Sequence, residues 1–294
     1  MNDIPLSLRA DFDQCGKIAH DHYENFPVAS FFLPPSMRPH VAALYAFART
    51  ADDFADEPLY EGNRLVELDR WERDFRLALS QQPSNPVARA FAYSVQSHGI
   101  PPEIPLRLLT AFRMDVEVKR WKDWDSLFDY CRHSADPVGR CMLYFSGVHD
   151  KRLHDLSDKV CTGLQLINFW QDTSADLSRG RIYYPKSEWR SAKLKKEHFA
   201  PGFDSPLTKK LVRKVLDRTE EHFRSGFPLA NQVPSYLGRE LRATFAGGLA
   251  IIGQIRNMDY AVFGRRPHLG FWDKVHLASA ALWGSTPSAT MDKP

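Results

Sequence analysis

Little in this sequence of 294 residues suggests a disulfide-stabilised, membrane-spanning or nucleic-acid-binding protein. It contains four cysteines and no Cys-x-x-Cys pair, which argues against a disulfide framework and against a zinc site. The longest apolar run, residues 246–255, is far shorter than the roughly 20 residues that span a bilayer. The net charge of +3 lacks the strong basic bias of a nucleic-acid binder, so no nucleic-acid partner is expected.

The first five residues have neither the charged nor the apolar region of a signal peptide, so we expect a cytoplasmic protein. A basic stretch keeps open the alternative that the protein contacts the inner face of the membrane peripherally. Near anionic lipid each basic residue contributes about 1 kcal/mol to such contact, although a basic stretch is most often a solvated surface. Its members are Lys186, Arg190, Lys193, Lys195 and Lys196.

The alternating Val, Ile and Thr of β-strands are also scarce, whereas apolar residues recur at helical spacing. This pattern predicts an all-α protein with a single domain, residues 1–284, and a disordered polar tail, residues 285–294. Asp136-Pro137 interrupts the apolar stretch 126–146. The other predicted helices cover residues 36–57, 63–80, 85–98, 102–119, 155–177, 205–229 and 235–263.

Two pairs of aspartates, Asp52 with Asp56 and Asp172 with Asp176, have the spacing i and i+4. On a helix this spacing stacks both carboxylates on one face, one turn apart, where they repel each other. The arrangement makes sense if a cation lies between the two clusters. Mg²⁺ suits them because it binds one or two carboxylates and takes further oxygens from substrate phosphates. The sequence therefore predicts a diphosphate held by magnesium.

Other polar residues share these two faces. Gln165 and Asn168 extend the second pair into a stripe about 80° wide on a helix. The stripe has neither Lys nor Glu, which a solvated helix face favours. Tyr45 and Arg49 lie on the first face, where Arg49 could contact diphosphate or pair with an aspartate.

Several neighbouring residues leave alternatives open. Asp53 and Glu57 point away from the first face and are interpreted as solvated. Arg181 could turn back to a phosphate or belong to an ordinary helix end, and the helix end is preferred for Arg179.

Asp115 lies on an apolar helix face, where a carboxylate costs free energy unless it is paired. It is therefore either a site residue or part of a structural ion pair. Tyr130 precedes the helix break at Pro137, and its default interpretation is core packing.

Two other metal chemistries are alternatives. Three His-Asp dipeptides raise the alternative of a helical metal phosphohydrolase. That site needs His and Asp from several helices, so it is disfavoured because two of the dipeptides lie close together in one polar turn. They are His20-Asp21, His149-Asp150 and His154-Asp155. A carboxylate-bridged di-iron site is weaker still, because no Glu-x-x-His occurs.

Taken together, residues 20–274 resemble the squalene/phytoene synthase family. The resemblance implies an isoprenoid synthase fold, in which helices surround a central cavity and both Asp motifs face it. The motifs that carry it are Tyr45-Ala46-Phe47-Ala48-Arg49 before Asp52, Tyr130-Cys131 with Val138-Gly139, Gln165-x-x-Asn168 before Asp172, and Gly180-Arg181-Ile182-Tyr183.

The same resemblance implies roles for individual residues. The Mg²⁺ ligands would be Asp52, Asp56, Asp172 and Asp176. The substrate-binding residues would be Tyr45, Arg49, Gln165, Asn168, Arg181 and Arg265. The catalytic residues would be Arg49, Asp115, Tyr130, Asn168 and Gln171, of which the last three could position water.

Residues 24–30, 134–139 and 168–172 are most similar to the members that form hydroxysqualene in bacterial hopanoid biosynthesis. Glu24 and Gln171 replace cations of condensing members, so the implied substrate has one diphosphate, as presqualene diphosphate does. No nicotinamide-binding glycine pattern occurs, so water capture giving hydroxysqualene would end the reaction. Other hopanoid-pathway enzymes are candidate partners. The alternatives are a condensing synthase that makes presqualene diphosphate, squalene or phytoene, and a non-catalytic assembly factor.

Overall fold

The computed structural model describes residues 4–21, 33–82 and 84–268 of the chain. Within these residues every regular element is helical, and the one β-interaction is an isolated parallel bridge between Arg120 and Ile182. The all-α prediction is therefore confirmed. Numbered along the chain, the α-helices are α1 (Arg9–Asp21), α2 (Arg38–Asp56), α3 (Arg64–Leu79), α4 (Pro86–Ser97), α5 (Glu103–Glu117), α6 (Trp124–Ser134), α7 (Asp136–Phe145), α8 (Lys151–Gln171), α9 (Thr173–Ser178), α10 (Lys186–Ser191), α11 (Pro206–Ser225) and α12 (Ser235–Asn257).

The helices between residues 36 and 119 begin and end within two residues of their predicted ends. Two later helices are shorter than predicted. Helix α11 gives way to a 3₁₀ turn, Phe227–Asn231, and the backbone after α12 reverses through positive φ at Asp259 and Tyr260. Helix α1 is not predicted, because its apolar stripe is short. The predicted tail 285–294 lies outside the described residues.

The contacts divide the chain into two compact units. The first comprises the described residues of Met1–Lys119 and Phe128–Cys161, and the second those of Arg120–Leu127 and Thr162–Pro294. A single domain over residues 1–284 stays a prediction. Nowhere in the described ranges is a helix both long and apolar enough to cross a membrane.

In the first unit, α2 packs against α1, α3, α4 and α5. Its buried stripe includes Ala51 and Phe47, whose ring centroid lies 4.9 Å from that of Phe75 in α3 and 4.8 Å from that of Phe91 in α4. Because this stripe is committed to the core, the polar residues of α2 gather on its remaining face.

Helix α7 lies very close to α8 in the first unit. A Cβ atom on Gly139 would be 2.4 Å from Sγ of Cys161 and 2.5 Å from Oγ of Ser157. The next residue, Arg140, donates two hydrogen bonds to the Asp158 carboxylate at 2.9 and 2.6 Å. Only glycine allows this approach, and the bidentate pair then holds the two helices together.

In the second unit, one aromatic ring joins three helices. Phe223 of α11 is fully buried, and its ring stacks on that of Phe245 of α12 at 4.4 Å. A Cβ atom on Gly163 of α8 would be 2.7 Å from Cβ of Phe223, and one on Gly248 of α12 would be 2.7 Å from its Cε1. The two glycines therefore make room for this ring.

Candidate active site

The first acidic cluster lies on the face of α2 that is not occupied by the buried apolar stripe. Tyr45, Arg49, Asp52 and Asp56 recur along this face, and all four are partly buried. Partial burial distinguishes the cluster from an acidic helix end that water surrounds. Helix α2 thus presents two carboxylates, a guanidinium and a phenol together.

Arg49 links the charges of this cluster. Its Nη1 donates to Oδ2 of Asp52 at 3.0 Å, its Nη2 forms an ion pair with Asp53, and Oε1 of Glu57 lies 3.8 Å from Nη2. The interpretation of Asp53 as a solvated residue that points elsewhere is therefore wrong, whereas Glu57 is exposed, as a solvated residue should be. The guanidinium carries two terminal nitrogens, so it can reach acids both three and four residues further along the helix.

Asp115 is carried by α5, which packs against α2. The hydroxyl of Tyr130 donates to Oδ1 of Asp115 at 2.8 Å and lies 3.1 Å from Oδ2. Tyr130 is only 4% exposed, so it packs in the core and also provides a polar partner for this carboxylate. The hydrogen bond offsets part of the cost of burying Asp115.

The second acidic cluster spans a hinge between α8 and α9. The prediction of one continuous helix over residues 155–177 is wrong here, because α8 ends at Gln171 and Asp172 adopts φ −93° and ψ 9° before α9 begins. The hinge is local. The Asp172 N–H still donates to the Asn168 carbonyl at 2.8 Å, and the Asp176 N–H to the Asp172 carbonyl at 2.9 Å. This i to i−4 pattern keeps the two aspartates one turn apart.

Thr173 supplies a physical cause for the hinge. Its hydroxyl oxygen lies 3.1 Å from the Phe169 carbonyl oxygen and 3.0 Å from that of Trp170, a back-bonding pattern that bends helices. The Tyr184 hydroxyl lies 2.8 Å from Oγ1 of Thr173. Burial raises the pKa of Tyr184, so this phenol stays neutral beside the hinge.

Aromatic packing supports the end of α8 that carries Asp172. Tyr183 stacks on Phe169 with ring centroids 3.8 Å apart, and Tyr184 lies 4.7 Å from Trp170. The indole Nε1 of Trp170 donates to Oγ1 of Thr219 in α11 at 2.9 Å. These contacts hold the last turn of α8 in one orientation.

The turn after α9 accounts for Gly180 and the residues beside it. Gly180 has φ +74°, its N–H donates to the Leu177 carbonyl at 3.0 Å, and the Arg181 N–H donates to the Asp176 carbonyl at 2.8 Å. This is the Schellman pattern of a helix end, so the ordinary interpretation holds for Gly180 and the exposed Arg179. The turn also brings the Arg181 backbone next to Asp176, while a phosphate contact by its side chain stays a prediction.

A residue absent from the sequence interpretation reaches the second cluster. Nε of Arg266 donates to Oδ1 of Asp172 at 2.5 Å, and Nε2 of Gln171 donates to the Pro267 carbonyl at 3.1 Å. The sequence interpretation names Arg265, which is exposed, and its role in substrate binding stays a prediction. The pair of adjacent arginines is the only feature of the sequence that points to this contact with Asp172. They follow an irregular turn, so spacing does not tell which one faces Asp172.

The amides of the predicted stripe differ in exposure. Gln165 and Gln171 are partly buried, whereas Asn168 is exposed. Their roles toward a substrate stay predictions, and so does the facing of the two acidic clusters. Glu24 lies outside the described residues.

The acidic pairs have the donors that Mg²⁺ prefers. No group of three or more His, Cys, Asp and Glu side chains in the described part of the chain is placed to hold a metal ion by itself. Mg²⁺ needs only one or two carboxylates, because water and substrate phosphates complete its six ligands. Asp52 and Asp172 each form an ion pair with a guanidinium, so both carboxylates already stabilise a positive charge. The residues present therefore fit the ion.

The His-Asp dipeptides do not form a comparable site in the described residues. His154 is only 5% exposed, and its Nε2 lies 3.0 Å from the Val148 carbonyl oxygen. His20 and Asp21 are exposed at the end of α1. A phosphohydrolase centre built from converging His and Asp residues has no support in these contacts.

Known proteins are similar to this chain in sequence and in fold. The family model for squalene/phytoene synthase matches residues 19–273. A hydroxysqualene synthase from Rhodopseudomonas palustris is 37% identical over 247 residues, which are 83% of this chain and 82% of that protein.

Two solved structures are also similar. Squalene synthase HpnC from Alicyclobacillus acidocaldarius has a TM-score of 0.83 and 36% identity, over 87% of this chain and 97% of that one. A dehydrosqualene synthase in complex with a ligand also has a TM-score of 0.83, over 94% of this chain and 96% of that one. At 22% identity the second similarity supports the fold alone.

Proposed function

Because the chain belongs to the squalene/phytoene synthase family and is a squalene-type prenyl synthase, we propose that it converts presqualene diphosphate to hydroxysqualene. In this reaction the C–O bond to diphosphate breaks and the oxygen of a water molecule bonds to the carbon skeleton. Diphosphate and one proton are released. The family match and the relative from Rhodopseudomonas palustris, which bears the name of this activity, support the proposal.

One observation about the site carries the proposal. Each Asp-x-x-x-Asp pair has an arginine on its first carboxylate, Arg49 on Asp52 and Arg266 on Asp172. When a diphosphate and a divalent cation bind, the guanidinium can donate to phosphate oxygens and the carboxylate can bind the cation. Both partners of each ion pair are thus suited to the two halves of a metal–diphosphate complex.

When bound, Mg²⁺ would be held by Asp52, Asp56, Asp172 and Asp176 and would neutralise charge on the departing diphosphate. Arg49, Arg181 and Arg266 would bind the oxygens of the same group, with Arg265 as a further candidate. Donors already in place stabilise the charge that develops as the C–O bond breaks, because little reorganisation is needed at that moment.

Water capture requires a polar group that orients the incoming oxygen. The amide nitrogen of Gln171 donates to the Pro267 carbonyl at 3.1 Å, which leaves its amide oxygen to accept a hydrogen bond from water. The Tyr130 hydroxyl already donates to Asp115, so it can accept a hydrogen bond from water. Asn168 is a third candidate. Transfer of presqualene diphosphate from another hopanoid-pathway enzyme is a further element of the proposal.

Product analysis tests the proposal. Purified protein and Mg²⁺ would be incubated separately with presqualene diphosphate and with farnesyl diphosphate, without NADPH, and Asp172→Asn would give the background. We expect hydroxysqualene from presqualene diphosphate and no product from farnesyl diphosphate.

Two other outcomes would overturn this reading. Presqualene diphosphate, or a C30 or C40 hydrocarbon, formed from a prenyl diphosphate would make the protein a condensing synthase. If neither substrate turned over while circular dichroism showed an intact helical fold, a non-catalytic assembly role would be favoured.

A further inference from the structure

The charge of this chain is concentrated in one segment of the second unit. Residues 186–214 contain nine Lys and Arg against three Asp and Glu, an excess of +6, whereas the whole chain has a net charge of only +3. The rest of the chain is therefore slightly acidic. The nine basic residues are Lys186, Arg190, Lys193, Lys195, Lys196, Lys209, Lys210, Arg213 and Lys214.

Part of this charge is used inside the second unit. Lys214 forms an ion pair with Glu188 at 2.6 Å, Lys209 with Asp259 at 2.9 Å, and Arg213 lies over the Tyr260 ring at 5.9 Å. Five exposed residues form no ion pair with any described residue. They are Arg190, Lys193, Lys195, Lys196 and Lys210, which we call the basic set.

The acids of the segment do little to neutralise the basic set. Glu188 is engaged by Lys214. The Asp204 carboxylate accepts the backbone N–H groups of Phe263 at 3.2 Å and Gly264 at 2.9 Å. Glu197 is exposed and is the one acid that remains beside five cations. The basic set therefore keeps a strong positive potential at the surface.

Two large apolar side chains are exposed in the same segment. Phe203 is 45% exposed and Leu207 is 44% exposed, on either side of the turn that begins α11. A capping box closes this turn: Ser205 N–H donates to Oγ1 of Thr208 at 2.7 Å and Thr208 N–H donates to Oγ of Ser205 at 3.2 Å. The apolar pair is thus held at the surface by a capped helix start.

Basic residues flank the apolar pair on both sides. The ring of His198 lies 5.8 Å from that of Phe203, and Nδ1 of His198 accepts the Lys195 backbone N–H at 3.0 Å. These contacts place the Lys195–His198 turn next to Phe203. Lys210 follows Leu207 by three residues on α11 and so shares its face.

We propose that this surface docks on a lipid bilayer that contains anionic headgroups. The basic set would contact the headgroups, and Phe203 and Leu207 would enter the interfacial region. Composition favours lipid over a protein partner, because four of the five residues of the basic set are lysines. Protein interfaces are depleted in lysine, whereas lysine clusters are typical of anionic lipid binding. The proposal goes beyond the proposed function and does not depend on which prenyl substrate is used.

Sedimentation with lipid vesicles tests the proposal on the full-length protein. We expect binding to vesicles of phosphatidylcholine with phosphatidylglycerol, weak binding to phosphatidylcholine alone, and loss of binding as NaCl is raised. The variant Lys195→Gln/Lys196→Gln/Lys210→Gln should lower the partition coefficient by about 100-fold, from about fivefold per residue.

Matched controls separate a local surface from general charge. The variant Arg9→Gln/Lys17→Gln/Arg73→Gln removes three exposed cations of the first unit and should keep most of the binding. The variant Phe203→Ser/Leu207→Ser should weaken binding at least tenfold, whereas Leu59→Ser/Val66→Ser, at side chains 83% and 53% exposed in the first unit, should not.

Three results would overturn the proposal. They are equal binding to neutral and anionic vesicles, equal loss in the two charge variants, and binding to heparin without binding to vesicles. The last would indicate an acidic macromolecule as the partner. Turnover of detergent-dispersed substrate, measured in parallel, should be similar in all variants, so failure of docking can be told apart from failure of the proposed reaction.

Discussion

Arg266 donates a hydrogen bond from Nε to Oδ1 of Asp172 at 2.5 Å. The neighbouring residues make a second contact, in which Gln171 donates to the Pro267 carbonyl at 3.1 Å. The segment after α12 is therefore attached to the α8–α9 hinge at two successive positions. A cation is thus held on the first carboxylate of the second acidic pair.

This contact predicts a difference between two adjacent arginines. Arg266→Gln should lower turnover of presqualene diphosphate by about 100-fold, since a donor to the leaving diphosphate is lost. It should also lower the Mg²⁺ concentration that gives half-maximal activity, because a competing cation is removed from Asp172. Steady-state kinetics over a Mg²⁺ titration would measure both effects. Arg265→Gln removes the second candidate for diphosphate binding but should leave the Mg²⁺ dependence unchanged, because Arg266 and not Arg265 is paired with Asp172. Equal shifts of the Mg²⁺ dependence in the two variants would contradict the assignment.

The first aspartate of each pair should matter for activity and little for stability. Asp52→Asn and Asp172→Asn should each lower turnover by at least about 1000-fold, because a ligand for the metal–diphosphate complex is lost. Their free energy of unfolding should change by no more than about 1 kcal/mol, as for other partly exposed ion pairs. Urea unfolding and single-turnover assays would measure this, with the exposed Asp13→Asn as control. Activity that survives either change would contradict the role of these aspartates as ligands of the metal–diphosphate complex.

The hydrogen bond between Tyr130 and Asp115 predicts coupling in a double-mutant cycle. Tyr130→Phe and Asp115→Asn should show a coupling in unfolding free energy of about 2 kcal/mol, since the acceptor carries charge. If the hydroxyl also orients water, Tyr130→Phe should lower kcat by about tenfold while KM changes little. Coupling in stability with unchanged kcat would show that the pair only supports the core.

The space around two helical glycines, Gly163 beside Phe223 and Gly16 in α1, predicts opposite effects of substitution by alanine. Gly163→Ala should destabilise the protein by about 1 to 3 kcal/mol, because its Cβ atom would lie 2.7 Å from that of Phe223. Gly16→Ala in α1 has nothing within 4 Å of the new Cβ atom and should stabilise by about 0.5 to 1 kcal/mol through helix propensity. Thermal unfolding of both variants would check this. A neutral Gly163→Ala would mean that α8 and α11 can separate without cost.

Glu240 in α12 predicts a pH dependence of stability. It is buried, one of its oxygens has no hydrogen-bond partner among the described residues, and burial raises its pKa from 4.5 to about 7. Below pH 4.5 the Glu240 carboxyl is neutral in both the folded and the unfolded chain, so folding buries no charge there. As pH rises from 4.5 through the folded pKa of about 7, the unfolded chain loses this proton more readily, and the free energy of unfolding falls.

Between pH 5 and pH 8 the wild type should therefore lose about 2 kcal/mol of unfolding free energy relative to Glu240→Gln. Urea unfolding at the two pH values would measure the difference, with the exposed Glu61→Gln as control. Parallel pH profiles for wild type and Glu240→Gln would show that this carboxyl is not desolvated.

Local patterns in the sequence are sufficient to predict much of the secondary structure. Apolar periodicity predicts the helices between residues 36 and 119 within two residues, and the i, i+4 aspartates do stand one turn apart. Periodicity does not predict the hinge at Asp172, because Thr173 bends the backbone through hydroxyl contacts that include Tyr184, eleven residues away. Nor does an ideal helix face predict the ion pair of Asp53, because it does not describe the reach of an arginine side chain.

The sequence alone determined the all-α fold, the positions of the helices between residues 36 and 119 and the composition of both acidic clusters. Helical hydrogen bonds join residues four apart, so their geometry follows from local spacing. Only the tertiary structure decided that Arg266 and not Arg265 reaches Asp172, 94 residues earlier, and that Tyr130 is a partner of Asp115. Such contacts depend on how irregular turns orient distant segments, and no local periodicity encodes that.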